Sequence, residues 1–209
     1  MATFLGNLRN VVIAGFVLAL IVLLIRIQMG GLDLGSEMFA AFIIRWLHII
    51  CGVMWIGLLW YFNFVASPTM PKIPDELKPA LGRFITPAAL FWFRWGAMGT
   101  IVFGLMLAGM NHYLVQALSL DTVDSGGIFS TPSFLLIGIG MWFGIIMWFN
   151  VWFIIWPHQQ KALNIGGKYP DLPAPDKAAS AKTAGQFSRI NTLLSIPMLF
   201  CMAAASHLG

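Results

Sequence analysis

Residues 45–64 read RWLHIICGVMWIGLLWYFNF, a stretch that is long and apolar enough to cross a bilayer. It nevertheless carries an arginine and a histidine three positions apart, and residues at i and i+3 share one face of an α-helix. The full face reads Arg45, His48, Gly52, Trp55, Leu59 and Asn63. Because a cation and an imidazole are costly in hydrocarbon, we expect this face to point toward protein, water or a cofactor.

The composition is that of an integral membrane protein. Hydrophobic residues make up 59% of the 209 positions and charged residues only 10%, with a mean hydropathy of +0.82. A soluble domain typically carries about 25% charged residues. The formal charge of +4 does not indicate nucleic-acid binding, because the basic residues lie mostly between apolar runs. Cys51 and Cys201 fall inside such runs and are expected to be small buried side chains.

Five apolar runs, each near the roughly 20 residues that a bilayer requires, predict an all-α bundle of five transmembrane helices. We expect them to form a single membrane domain over residues 1–209. The predicted spans are about 10–27, 39–65, 89–115, 132–156 and 187–207. The first run is long for a signal-peptide core and no A-x-A-like site follows it, which favours an uncleaved span.

The connecting segments also carry structural signals. Residues 67–87 contain five prolines, which are expected to interrupt the second helix. Residues 157–188 form the longest polar stretch and are expected to be a surface loop. Small residues recur every four positions in two spans, at 96, 100 and 104 and again at 140 and 144. That spacing predicts close approach of a neighbouring helix on each of the two faces.

The basic residues predict the orientation in the membrane. If five spans alternate, one side carries Arg9, Lys72, Lys78, Arg83, Lys161, Lys168, Lys177, Lys182 and Arg189. The opposite side has Arg26 near a helix end and otherwise acidic residues, among them Asp121 and Asp124. The positive-inside rule therefore places the N-terminus in the cytoplasm and the C-terminus outside.

Three of the four histidines are expected at a similar depth, toward the outer side of the membrane. His48 lies in the second span, His112 near the end of the third and His207 at the end of the fifth. Neutral imidazole is a common ligand of haem iron and of transition metals. These three residues are therefore the candidate metal ligands, whereas His158 lies at the opposite end of the fourth span.

Two neighbours of His48 complete the candidate cofactor site. Arg45 is placed to hold a haem propionate in a charge-assisted pair, and Trp55 lies on the same helix face. The alternative is that His48 is a hydrogen-bonded packing residue and that the other histidines are solvated at helix ends. No carboxylate falls deep inside a predicted span, which argues against an ion pump or cation transporter.

The ordered set of apolar stretches resembles the membrane domain of bacterial cytochrome-linked urate oxidases (urate hydroxylases). The matching stretches are RWLHIICGVMWIGLLWYFNF, PTMPKIP at 68–74, ALFWFRWGAMGTIVFG at 89–104, GMWFGIIMWFNVWFIIWPHQQK at 140–161 and RINTLLSIPMLF at 189–200. The similarity covers most of the chain from Arg45 to His207. The second span, with its W-L-H start and later W-x-G, also loosely resembles haem-binding membrane oxidases of the HemJ type and copper-resistance membrane proteins.

The resemblance implies a multi-pass protein of the bacterial inner membrane that binds haem b. It implies an oxidoreductase that passes electrons between a small substrate, urate by resemblance, and a periplasmic cytochrome c. In the HemJ-type and copper-resistance proteins, the histidine matching His48 serves the cofactor. Longer urate oxidases continue into further spans and a cytochrome c domain, which these 209 residues lack. We therefore expect either a separate cytochrome at the outer face or, alternatively, a non-catalytic accessory subunit of a larger membrane complex.

Overall fold

The computed structural model of the chain describes residues 2–120 and 132–208. Within these ranges five helices are long and apolar enough to cross a membrane, which confirms the predicted all-α, multi-pass membrane architecture. No strand occurs in the described ranges. The predicted acidic loop residues Asp121 and Asp124 lie outside the described residues, so the orientation in the membrane stays a prediction.

The long helices are numbered in chain order. Their bounds are α1 Leu8–Gln28, α2 Glu37–Trp60, α3 Thr86–Met110, α4 Pro132–Phe149 and α5 Ala174–His207. Short α-helices occupy Ala2–Leu5, Ser67–Thr69, Lys78–Ala80, Leu114–Leu118 and Trp156–Leu163. π-Helical segments occupy Tyr61–Ala66, Leu81–Ile85 and Asn150–Ile155, and 3-10 turns occupy Met70–Lys72 and Ile165–Gly167.

The chain divides into two units, Met1–Phe42 and Ile43–Gly209. In the first unit, α1 begins after Asn7, whose side-chain oxygen accepts a hydrogen bond from the Arg9 backbone N–H at 3.0 Å. At its other end, Arg26 donates to the Gly30 carbonyl at 2.9 Å. No residue of α1 is buried within the protein. A helix that is apolar on every side and unburied matches the environment of lipid.

In the second unit, the core lies between α2, α3, α4, α5 and the segments that extend them. Its largest fully buried side chains include Trp55, Leu59, Leu90, Met147 and Ile155. Trp55 and Leu59 are both 0% exposed, so the predicted inward face of residues 45–63 does point into the protein at its centre.

The prolines of residues 67–87 interrupt the second span as predicted, but only after Lys72. Helical structure continues from Glu37 to Lys72, so that Pro68 and Pro71 lie within it, and Ile73, the residue before Pro74, is extended. A π-helical segment ends two residues before Pro68, Pro87 and Pro157. Because proline lacks an N–H and its ring clashes with the carbonyl four positions earlier, a wider turn in front of it lets the helix proceed.

In contrast, most of the predicted loop over residues 157–188 is helical. The fourth span continues to Leu163, and α5 begins at Ala174, so that ten residues separate the two helices. Hydropathy located only the lipid-facing part of α5. Its first thirteen residues, APDKAASAKTAGQ, are polar but rich in alanine, which has the highest helix propensity.

The small residues predicted as packing faces lie at close helix contacts, which confirms that prediction. A Cβ on Gly96 would lie 3.2 Å from the Trp55 backbone nitrogen, so α3 approaches the backbone of α2 there. A Cβ on Gly140 would lie 3.0 Å from the Cys201 Cβ, which brings α4 against α5. Glycine at these points removes the side chain that would hold the helices apart.

Buried amides and hydroxyls connect the same helices. Asn150 donates from Nδ2 to Asn191 Oδ1 at 2.8 Å, and Asn191 donates to the Met147 carbonyl at 2.9 Å. Trp60 donates from Nε1 to Ser195 Oγ at 3.0 Å. Because Asn191 and Ser195 are 0% exposed, these bonds satisfy groups that lipid and water cannot reach. They fix the register of α5 against α2 and α4.

Candidate functional site

A cavity of about 990 Å³ lies among α2, α3, α4 and α5 in the second unit. Its wall is mainly aliphatic and aromatic, with polar groups supplied by a small number of side chains, among them Arg45, His48, Asn111 and Tyr113. Ligand pockets in proteins typically measure about 300–1,000 Å³ and combine an apolar wall with such a polar minority. The cavity is therefore large enough for a cofactor-sized molecule and has the chemistry of a binding site.

A hydrogen bond fixes the orientation of the His48 ring in the cavity wall. Its Nδ1 lies 2.8 Å from the backbone carbonyl oxygen of Thr100 on α3. A carbonyl oxygen only accepts, so Nδ1 must carry the proton and donate. Nε2 then holds the free lone pair, and it makes no hydrogen bond to residues 2–120 or 132–208. Such an imidazole is poised to ligate or to accept a proton through Nε2.

The ring of His48 fits against a glycine. A Cβ at Gly104 would lie 3.0 Å from Cε1 and 3.1 Å from Nδ1 of the ring. A side chain at 104 would therefore shift the imidazole by a few tenths of an ångström relative to the Thr100 carbonyl. The third small residue in the α3 repeat is thus the one that shapes the site.

Arg45 lies on the cavity wall one helical turn before His48 and is exposed. Its charge acts on Tyr113, which follows the end of α3. Burial raises the pKa of the Tyr113 hydroxyl, and the Arg45 guanidinium lowers it to a smaller extent. The ring of Tyr113 stacks on Phe134 with centroids 6.2 Å apart. Arg45 therefore supplies a cation beside a phenol at one part of the wall.

Trp55 contributes a buried polar atom to the same wall. The residue is 0% exposed, and its Nε1 has no hydrogen-bond acceptor within the described part of the chain. A buried indole N–H usually finds a partner. The sequence predicted Trp55 as a cofactor contact from its place on the helix face, and the structure places it on the cavity wall beside Gly52.

The other two predicted histidines do not line this cavity. His112 lies two residues past the end of α3 with a φ of 59° and is exposed. His207 is exposed at the end of α5, where its Nδ1 bonds the Ala203 carbonyl of its own helix at 2.9 Å. Among residues 2–120 and 132–208, no three His, Cys, Asp or Glu side chains are grouped as a metal site. The three-histidine cluster expected from matching depth is therefore absent there.

Depth in the membrane did not predict which histidines meet, because it specifies only the position along the membrane normal. Two histidines on different helices can share a level and still point in opposite directions around their helix axes. The continuous α2 face was a better guide, since i, i+3 and i+4 spacing fixes direction as well as depth.

Sequence reasoning did not find several residues of the cavity wall. Met141, Met198 and Met202 line it, as do Asn111 and Tyr113. A methionine in an apolar span carries no signal that separates a ligand from a packing residue, because its thioether serves both purposes. Asn111 and Tyr113 could have been suspected as polar residues immediately after an apolar run.

Comparisons of the chain with protein-family models, curated proteins and solved structures found no match.

Proposed function

We propose that the protein is a membrane redox protein whose cavity binds haem b, with His48 as an iron ligand through Nε2 and Arg45 as the partner of a propionate. The hydrogen bond from His48 Nδ1 to the Thr100 carbonyl is the observation that carries this proposal. Metal-ligating histidines almost always donate their other N–H to a carboxylate, carbonyl or water. That bond orients the ring and makes the free nitrogen a better ligand.

The residues around the cavity fit such a group. The volume of about 990 Å³ and the largely apolar wall suit a large planar macrocycle. Arg45 offers a cation for a carboxylate at an exposed position. The unpartnered Nε1 of Trp55 is a further donor that a bound molecule with an acceptor would satisfy. These features together favour an amphiphilic, acidic cofactor over a purely apolar lipid.

Two sets of residues could supply a second ligand to the iron. The sequence suggested His112 or His207, neither of which lines the cavity. Met141 and Met202 do line it, and a thioether sulfur could ligate the iron of a bound haem there. A His/Met pair raises the reduction potential. We therefore favour a methionine over a second histidine.

A bound haem b supplies one-electron transfer, and the chain's own residues decide where that happens. His48 and Arg45 orient the group, and the aliphatic wall excludes water from it. By its resemblance to the urate oxidases, the protein is proposed to accept electrons from a small substrate such as urate. A cytochrome c at the outer face is the proposed acceptor, in the bacterial inner membrane.

The test is the reduced-minus-oxidised absorption spectrum of purified protein. We expect Soret and α bands in the wild-type protein and their loss in His48→Ala. His207→Ala is the matched control, because that histidine is exposed and bonds only within its own helix, and it should keep both bands. Urate added to the oxidised protein should produce the reduced spectrum.

Absence of both bands from wild-type protein, or unchanged bands in His48→Ala, would overturn the haem assignment. Bands that do not respond to urate would overturn only the assignment of urate as the substrate. Purification in fixed stoichiometry with a larger complex and without any chromophore would instead favour the accessory-subunit alternative.

A further inference from the structure

Arg94 is a second cation within a membrane-spanning helix, six residues before Thr100 on α3, and it does not line the His48 cavity. Its Cζ lies 3.6 Å from the centroid of the Trp156 ring and 5.1 Å from that of Trp152. Both distances are within the range of a cation–π contact. The guanidinium is therefore fixed against two indole faces contributed by the extension of α4.

Several buried nitrogens near this contact have no hydrogen-bond partner in the described part of the chain. The described residues contain six buried side-chain nitrogens without a partner. Five of them belong to four residues of this region: Nε and Nη1 of Arg94, the indole nitrogens of Trp148 and Trp152, and Nδ1 of His158. Buried polar groups without partners are uncommon and often mark a missing water or ion.

Among the described residues, the charge of Arg94 also has no counter-ion. The ion pair formed within the described ranges is Lys78 with Asp75, and no carboxylate there pairs with Arg94. Contacts with indole faces stabilise a cation but leave its N–H donors without acceptors. A partly buried guanidinium is costly unless an anion or strong acceptor completes it.

The position of Trp156 along the fourth span identifies the source of that anion. Trp156 lies seven residues before the end of that span, which has 31 residues, well beyond the roughly 20 that cross hydrocarbon. Trp156 therefore falls near the level of the lipid headgroups, and the Arg94 guanidinium, whose Cζ is 3.6 Å from the centroid of its ring, lies at the same level.

Exposed aromatic rings mark the same level. Trp92 and Trp95 flank Arg94 on α3 and are 57% and 49% exposed. Tryptophans concentrate where the hydrocarbon meets the headgroups. Nε and Nη1 of Arg94 are buried, but Nη2 is not among the buried unpartnered nitrogens and the residue is partly exposed, so a headgroup can reach the guanidinium through Nη2.

We propose that Arg94, held between Trp152 and Trp156, binds the phosphate of an anionic phospholipid. Phosphate matches the planar donor array of a guanidinium, and the indoles hold that array in place. An anionic lipid is favoured over a zwitterionic one because it brings no cation of its own to compete with Arg94.

The experiment measures lipid retention by native mass spectrometry after purification in detergent. Phosphatidylglycerol, phosphatidylcholine and inorganic phosphate are added separately to the wild-type protein. We expect phosphatidylglycerol to be retained about tenfold more tightly than phosphatidylcholine, and phosphate alone not to bind. Equal retention of the two lipids, or binding of inorganic phosphate in their place, would overturn the proposal.

Variants locate the site. Arg94→Gln should lose about tenfold in affinity for phosphatidylglycerol, and Arg94→Lys should lose less, because it keeps the charge but not the planar fork. Arg189→Gln, which removes an exposed arginine from α5, should not change the affinity. If Arg94→Gln fails to fold, the affinity of Arg94→Lys and the lipid preference of the wild-type protein still test the proposal. Equal affinity of Arg94→Lys, Arg189→Gln and wild type would refute the assignment.

Discussion

Replacing Gly104 with alanine tests how His48 is held in the cavity wall. The added Cβ would lie 3.0 Å from Cε1 of the imidazole, whereas ordinary contacts begin at 3.4 Å. The ring must therefore retreat by about 0.4 Å, the difference between these distances. That movement lengthens or bends the 2.8 Å hydrogen bond to the Thr100 carbonyl.

Two opposing effects determine the free energy of unfolding of Gly104→Ala. Weakening the hydrogen bond costs up to about 0.5–1.5 kcal/mol. Replacing a helical glycine with alanine gains about 0.5–1 kcal/mol. The free energy of unfolding of Gly104→Ala should therefore lie between about 0.5 kcal/mol above and about 1 kcal/mol below wild type.

Gly109→Ala is the matched control on the same helix. A Cβ at 109 would meet no atom of residues 2–120 or 132–208 within 4 Å, so only the helical gain applies. It should exceed Gly104→Ala in stability by about 0.5–1.5 kcal/mol, measured by SDS titration in mixed micelles with circular dichroism. Under the proposed function, Gly104→Ala alone should also lower Soret absorbance per protein. Equal stability and equal absorbance in the two variants would refute the role assigned to His48.

Three other predictions concern the packing and a surface charge. Alanine at Asn150 and at Asn191, singly and together, should reveal a coupling energy of about 0.6–1.7 kcal/mol in a double-mutant cycle, because the two amides share one buried hydrogen bond. Gly138→Ala should destabilise by about 3 kcal/mol, seen in the same titration, because its Cβ would overlap the Ala117 carbonyl oxygen. A side-chain hydrogen bond from Lys78 and the charge of Lys78 lower the pKa of the Asp75 carboxyl below its ordinary 3.8. The stability difference between wild type and Asp75→Asn should therefore be present above about pH 4 and vanish as the pH falls further.

Each of these has an outcome that contradicts it. Additive single variants of the two asparagines would show that the hydrogen bond contributes nothing to stability. A wild-type unfolding curve for Gly138→Ala would mean that the contact between the two helices adjusts without cost. A stability difference at Asp75 that persists at low pH would mean that the carboxylate acts through something other than its ion pair.

Much of the architecture follows from local properties of the chain. Apolar runs of bilayer length predicted the five spans, because a backbone in lipid must satisfy its hydrogen bonds within each segment. The glycine repeats predicted where helices approach, because a missing side chain is visible in the sequence. Hydropathy failed at helix ends, since it reports contact with lipid and not helix formation, and α5 starts thirteen residues before its predicted lipid-crossing part.

The sequence predicted the part of the candidate site that lies on α2, but not the part that other helices contribute. The α2 face was readable because helical periodicity fixes which of its residues point the same way, and it led to Arg45, His48 and Trp55. The partners of that face come from other helices, whose rotation and register depend on packing that no local pattern encodes. Only the tertiary structure brought the Thr100 carbonyl to His48 and placed Arg94 against two indoles, where two of its nitrogens find no acceptor among the described residues. The sequence of each helix determines which residues share a face, and the packing of separate helices determines which residues that face contacts.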